Sequence, residues 1–246
     1  MVKLLITGNK GLLGTELIKH LDLKEFEIFG LDRPEFDITK KDSVKEAFKK
    51  FQPEVVLHLA AYTDVAAAEY ARRECYQTNV HGTELIATRA PFLIYMSTEY
   101  VFDGEKGDYH ESSIPNPVNF YSLTKLLGEF KAERARRYCI VRTLFKPRPF
   151  EHPVACTDMW TSGDYVDVMA KKLALAILNY KTLPKVLHLG TGRKNLFELA
   201  SQTKKDLKPI KRISLPIRLP RDTSLDTTLW EMLKYERPNS GTPATR

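Results

Sequence analysis

The sequence predicts an α/β protein built on a doubly wound parallel sheet, with a small, shortened C-terminal region beside it. Three observations carry this prediction. Five apolar, β-prone runs recur through the first 145 residues, segments of helical period separate them, and a glycine-rich turn, ITGNKGLLG at 6–14, joins the first run to the first helical segment. Strands and helices in that alternation give a Rossmann-like sheet with helices on both faces.

The runs KLLIT, FEIFGLD, EVVLHLA, FLIYMS and CIVRT are nearly continuous in apolar character, as strands covered on both faces must be. The first helix follows the glycine turn over 11–21. The next spans 43–51, where Val44, Ala47, Phe48 and Phe51 form an i, i+3, i+4, i+7 stripe with Lys45, Glu46, Lys49 and Lys50 off that face, and Asp42 or Ser43 is its expected cap. Helical period then marks 65–87 with interruptions, 120–136, 164–179, 195–206 and 225–234, and KVLHLG at 185–190 reads as a further strand. The stretch 143–163 holds three prolines and no clear period, so it reads as loop. The predicted organisation is a dinucleotide-binding domain over 1–145, a reduced substrate region with the remaining core strand and helices over 146–238, and a disordered tail at 239–246.

A chain of 246 residues with 43% hydrophobic content can bury a sizeable core without staples. Its three cysteines, Cys75, Cys139 and Cys156, form no C-x-x-C pair and suggest neither a disulfide framework nor a metal site, which points to a reducing, cytoplasmic setting. The longest apolar stretches, such as VVLHLAAY, fall far short of the roughly 20 residues that span a bilayer, and the N-terminus lacks the layout of a signal peptide; no membrane partner is expected. The net charge of +7 gathers most densely in RARRY (134–138) and KPIKR (208–212). No aromatic residues alternate with those patches as a base-stacking platform needs, so no nucleic-acid partner is expected either.

Gly8, Gly11 and Gly14 lie between a strand and a helix, the context in which glycines permit a tight turn and a close approach of backbone to a pyrophosphate. The same spacing also suits a ligand-free turn, but Asp32 tips the balance: it ends the second strand, where a carboxylate can bond the adenosine ribose hydroxyls. Asp32 favours NAD, whereas the adjacent Arg33 can pair with the extra phosphate of NADP, so the cofactor reads as NADP or NAD. YSLTK places Tyr121 and Lys125 one helical turn apart on one face. A phenol titrating near 10 needs a neighbouring cation to exchange protons near neutrality, and Lys125 is positioned in sequence to provide one. Ser97 and Thr98 leave the fourth strand at the sheet edge where such folds build their sites, with hydroxyls suited to a substrate oxygen.

Together ITGNKGLLG, LDRPEFDIT, VVLHLAAYTDVAAAE, NVHGT, STEYVFDG, YHESSIPNPVNFYSLTKLLGE and IVRT run collinearly over 1–145 and resemble the extended short-chain dehydrogenase/reductases, within them the dTDP-4-dehydrorhamnose reductases; PRDTSLDTTL at 220–229 resembles their C-terminal element. The resemblance implies reduction of a nucleotide-linked 4-keto-6-deoxy sugar by NAD(P)H. Thr98 would position the keto oxygen, Tyr121 protonate the alkoxide, and Lys125 tune Tyr121 and hold the nicotinamide ribose. It also implies that Gly8, Lys10, Gly11 and Leu12 meet the pyrophosphate, Asp32 and Arg33 the ribose, and Asp37 and Ile38 the adenine. Ala60, Ala61 and Tyr62 would line the groove with Asn79 in support, and Asn9, Leu13, Leu59, Tyr121 and Lys125 complete the cofactor set. Thr98, Glu99, Tyr100 and Phe145 would face the nucleotide-sugar substrate, and a homodimer is left open.

The chain departs from that pattern in three places. Beyond Arg142 it is shorter by several tens of residues, Glu99 stands where the family carries Asp, and DVAAAE is less charged than its counterparts. Phe145, Phe150 and Trp160 are candidates either to line a reduced pocket or to pack among themselves. Two alternatives therefore accompany the reductase reading: a cofactor-binding regulatory subunit without turnover, similar to the beta subunit of methionine adenosyltransferase, and a reductase of a smaller carbonyl compound.

Overall fold

Parallel pairing starts from Val2–Thr7 (β1), which lies in register with Phe26–Leu31 (β2) on one side and with Val55–His58 (β3) on the other. Phe92–Met96 (β4), Arg137–Arg142 (β5) and Val186–His188 (β6) extend the sheet, giving the order β2-β1-β3-β4-β5-β6 with every neighbouring pair parallel. The computed structural model describes residues 1–234, so the predicted tail at 239–246 lies outside the described residues.

Side chains alternate across this sheet, as strand geometry requires. Leu4 and Ile6 pack on one face with Leu13 and Leu17 of Leu12–Ile18 (α1) and with Met169, Leu173 and Ile177 of the helix Val166–Leu178. Leu5 points to the other face, against Val44 and Ala47 of Lys41–Phe51 (α2) and Ala132 of the helix Phe120–Ala132. The order of strand addition reverses at β1: the path steps outward from β1 to β2, then crosses back over β1 to β3. The crevice beyond the C-terminal ends of β1 and β3 is the topological switch point where this architecture binds ligands.

Several expectations change in detail. β2 is an edge strand with only Phe26 fully buried, because no further strand covers its outer side. α2 begins at Lys41 without a side-chain cap; Ser43 Oγ instead accepts the Asp37 amide at 3.0 Å and holds the preceding turn, so neither Asp42 nor Ser43 caps the helix. The interrupted segment at 65–87 resolves into a short turn at Ala67–Glu69, a helix at Arg72–Tyr76 (α3), a wide π turn at Gln77–Gly82, and Thr83–Ala87 (α4). Phe120–Ala132 is α5 and Val166–Leu178 is α6, followed by Leu196–Ser201 (α7) and Thr228–Leu233 (α8). None of the described helices is long and apolar enough to cross a membrane.

The stretch 143–163 contains structure that local patterning does not reveal. Phe145–Lys146 pairs with Asp164–Tyr165, Val154–Cys156 with Lys208–Ile210, and Trp160–Thr161 with Lys194–Asn195. These ladders of two or three residues depend on distant partners, so no periodicity announces them. They frame a small cluster of Cys156, Met159 and Leu196 packed on Tyr100 and Leu144, residues that follow β4 and β5.

Candidate active site

Gly8 adopts φ +72°, and a Cβ there would lie 2.7 Å from the Ala60 amide nitrogen. Only glycine lets the turn after β1 pass this close to the segment leaving β3. A Cβ at Gly14 would meet the Asn9 carbonyl oxygen at 2.6 Å, so this third glycine brings α1 down onto the turn itself. Gly11 occupies the cap position of α1 with no side-chain bond to the first amides. Asp32 closes the turn from the other side: its carboxylate accepts the Lys10 amide at 3.0 Å and the Arg33 amide at 2.8 Å. The Arg33 guanidinium stands 3.8 Å from Asp37 Oδ1 and borders the cleft.

A chain of buried hydrogen bonds supports the floor. The Ala60 amide donates to Thr7 Oγ1 at 3.2 Å, and Thr7 bonds His58 Nδ1 at 2.7 Å. On the far side His58 Nε2 meets Thr83 Oγ1 at 3.1 Å, whose own proton goes to the Asn79 carbonyl at 2.8 Å. That sequence of donors fixes the imidazole with its proton on Nε2, and burial, with the Lys125 charge nearby, lowers its pKa to about 3, so it stays neutral. The Asn79 side chain clamps Tyr62, accepting its amide at 2.8 Å and donating to its carbonyl at 3.1 Å, and donates to Thr124 Oγ1 at 3.0 Å. Asn79 therefore supports the groove from behind and does not line it.

Asn119 sets the start of α5 by accepting the Ser122 amide at 2.9 Å. Tyr121 thereby falls in the first turn and Lys125 one turn on. Burial holds the Tyr121 phenol above its ordinary range, with the Thr98 hydroxyl acting in the opposite sense. Burial also brings Lys125 down to about 7 against the opposing charge of Glu129. Lys125 Nζ donates to the Met96 carbonyl at 2.7 Å and sits 4.3 Å from the Tyr95 ring centre. Among the described residues no hydrogen bond joins it to Tyr121. Thr98 Oγ1 accepts the Tyr100 amide at 3.1 Å, which anchors the hydroxyl at the exit of β4.

One cleft of about 630 Å³ connects these parts. It runs from Gly8, Gly11, Leu12 and Leu13, past Asp32, Arg33 and Ile38, along Leu59, Ala60, Ala61 and Tyr62, to Thr98, Tyr100, Tyr121, Lys125 and Phe145. Five expected residues stand outside its walls. Asn9 tucks its side chain under Gly30, the Lys10 side chain reaches toward Glu35, Asp37 turns back to Thr39, and Asn79 lies behind Tyr62. Glu99, expected at the substrate, is fully buried behind the wall, accepting Thr223 Oγ1 at 2.6 Å and the Ser162 amide at 3.3 Å, and burial raises it to about 7. Ser97 borders the cleft, but its hydroxyl is turned away to donate to Glu129 at 2.5 Å. Of the aromatic candidates only Phe145 borders the cleft. Phe150 packs with Tyr165 and Leu199, and Trp160 lies under the Arg193 guanidinium.

The cleft also has walls that motif reasoning missed: Thr143, Lys146, Pro147 and His152. Their position directly after β5, at the carboxyl edge of a parallel sheet, was the one available signal.

The sequence profile of the RmlD substrate binding domain matches residues 2–146. The chain belongs to the RmlD family. Among relatives of this RmlD-family chain, the dTDP-4-dehydrorhamnose reductase of Aggregatibacter actinomycetemcomitans is 42% identical over 179 residues, 70% of this chain and 56% of the relative. Methionine adenosyltransferase 2 subunit beta of Danio rerio is 36% identical over 136 residues, 52% of this chain and 42% of that one. The RmlD-family chain thus spans about half the length of the curated relatives it matches. In three dimensions the crystal structure of dTDP-4-dehydrorhamnose reductase from Bacillus anthracis in complex with NADP superposes with a TM-score of 0.81 at 27% identity, covering 95% of this chain and 93% of the other.

Proposed function

We propose that this chain is a reductase that uses NADP(H), with NAD(H) as an alternative, on a nucleotide-linked 4-keto-6-deoxy sugar. The observation that carries the reading is the continuity of one cleft from the glycine turn to Thr98, Tyr121 and Lys125. The glycine cradle that a Cβ would fill, and the uncapped start of α1 beside it, suit a pyrophosphate. Asp32, already bound to two amides, would offer its carboxylate to the ribose hydroxyls, and Arg33 a cation to a 2′-phosphate.

A bound dihydronicotinamide would supply hydride to the sugar carbonyl carbon. In this reading the Thr98 hydroxyl orients the keto oxygen and Tyr121, held in its protonated form by burial, donates its proton to the oxygen as negative charge develops there. Lys125 spends one of its three N–H donors on Met96 and has the others for ribose hydroxyls; with no direct hydrogen bond to Tyr121, it would act on that residue only through such a hydroxyl. Mixing the purified protein with NADPH and a dTDP-4-keto-6-deoxyhexose is expected to deplete the nicotinamide absorbance. Cofactor binding without turnover would overturn the reading.

A second reading has a specific support, the match to methionine adenosyltransferase 2 subunit beta over 136 residues of the chain. As a regulatory subunit the chain would bind cofactor and a larger enzyme without reducing anything. Migration as a complex with such an enzyme on a sizing column, together with an absence of turnover, would favour it.

A further inference from the structure

The Thr98 end of the cleft carries a cation that the proposed reaction does not use. Lys146 follows β5 by four residues and borders the cleft between Phe145 and Pro147. Among the described residues its ammonium takes part in no hydrogen bond or ion pair, and the charge acting on it most strongly is Glu99, set behind the wall. Thr143 lines the same end at 3% exposure, and its Oγ1 is buried without a hydrogen-bond partner. Thr143 is held at the exit of β4, since its carbonyl accepts the Glu99 amide at 3.2 Å, and Lys146 is fixed by its strand pairing with Tyr165.

An orphaned hydroxyl is costly to bury, and it and a half-buried ammonium without a hydrogen-bond partner are both satisfied by a ligand offering anionic oxygens. The cofactor's pyrophosphate belongs at the glycine turn, at the opposite end of the cleft. We propose that Lys146 and Thr143 form a subsite for an anionic oxygen group of the substrate, a phosphate or a carboxylate, and so determine which substrates are accepted. The proposal rests on the reductase reading for its location beside Thr98 and Tyr121. A nucleotide diphosphate and an acidic sugar both offer this chemistry.

The test uses the full chain saturated with NADPH and two probes, dTDP and D-glucuronate, titrated by calorimetry. Wild type is expected to bind at least one of them. Lys146→Gln is expected to weaken that binding about tenfold or more, Thr143→Val severalfold, and Lys146→Arg little. A response with dTDP assigns the subsite to the diphosphate, and one with glucuronate to a sugar carboxylate. Binding of neither probe by wild type, or equal affinity in Lys146→Gln, overturns the proposal. NADPH affinity of each variant reports whether the fold is intact, and Thr143→Val decides the matter should Lys146→Gln lose it. Failure of the reductase reading shows separately, as absent turnover in a protein that still binds its probe through Lys146.

Discussion

Arg142 and Glu129 form a two-point ion pair in the interior, Nε to Oε1 at 3.0 Å and Nη2 to Oε2 at 2.8 Å, with both side chains about 5% exposed or less. The pair ties the end of β5 to the last turns of α5, and Ser97, leaving β4, adds its hydroxyl to the same carboxylate. Lys125 lies one turn upstream on that helix, so its placement over the Tyr95 ring depends on this buried anchor.

Breaking the anchor from one side leaves a charge without its partner. Arg142→Met and Glu129→Gln are each expected to destabilise the fold by about 3–5 kcal/mol. Ser97→Ala is expected to cost about 1–3 kcal/mol. Urea unfolding followed by circular dichroism measures all three; losses no larger than those of surface substitutions would refute the anchoring role.

Tyr121→Phe removes the proposed proton donor without altering ring packing. Turnover is expected to fall roughly 10²–10⁴-fold, with NADPH affinity close to wild type. Lys125→Met should lower both turnover and NADPH affinity. Steady-state rates alongside cofactor fluorescence titrations separate the two patterns.

Glu99 links stability to pH. Its folded pKa of about 7 stands above the ordinary 4.5, so its carboxyl holds a proton in the folded state that the unfolded chain releases. The resulting stabilisation is full below pH 4.5 and is lost as pH rises through about 7, an effect of about 3 kcal/mol. His58 and His188, held near 3 by burial, act in the opposite sense: their contribution is full above pH 6.5 and is lost as pH falls toward 3. The difference between wild type and Glu99→Gln therefore isolates the carboxyl. Relative to wild type, the variant should gain stability between pH 5 and pH 8, and a constant difference would disprove the linkage.

Gly8→Ala places a methyl against Ala60 at a backbone conformation that side chains avoid. A destabilisation of about 1–3 kcal/mol is expected from the strain, with a loss of NADPH affinity beyond what the stability change explains. Fluorescence titration under conditions where the variant remains folded checks this.

The parallel sheet was legible because β1, β3, β4 and the inner part of β5 are short apolar runs, a pattern that surface segments do not imitate. Gly8, Thr98, Tyr121 and Lys125 were legible through local spacing, since a turn and a helix each bring near neighbours together. Glu99 was misread because its partners, Ser162 and Thr223, lie 63 and 124 positions away. Thr143 and Lys146 escaped notice for a related reason: a proline-rich stretch gives no period, and only the ladder to Asp164–Tyr165 fixes how it borders the cleft. Asn79 was expected in the cofactor set beside the groove, and only its bonds to Tyr62 distinguish a buttress from a contact.

The bond from Thr223 to Glu99 also sets an order of events during synthesis. A ribosome has already made β1 through β5, and with them the glycine turn and α5, well before Ser162 and then Thr223 emerge. The half that carries the glycine turn can condense early, from contacts made mostly within its own stretch of chain. The half beside Thr98 must wait for its latch, a closure that joins distant parts of the chain late and therefore carries the larger entropic cost. Until it forms, the nascent protein has its glycine turn but not the finished wall in front of Glu99.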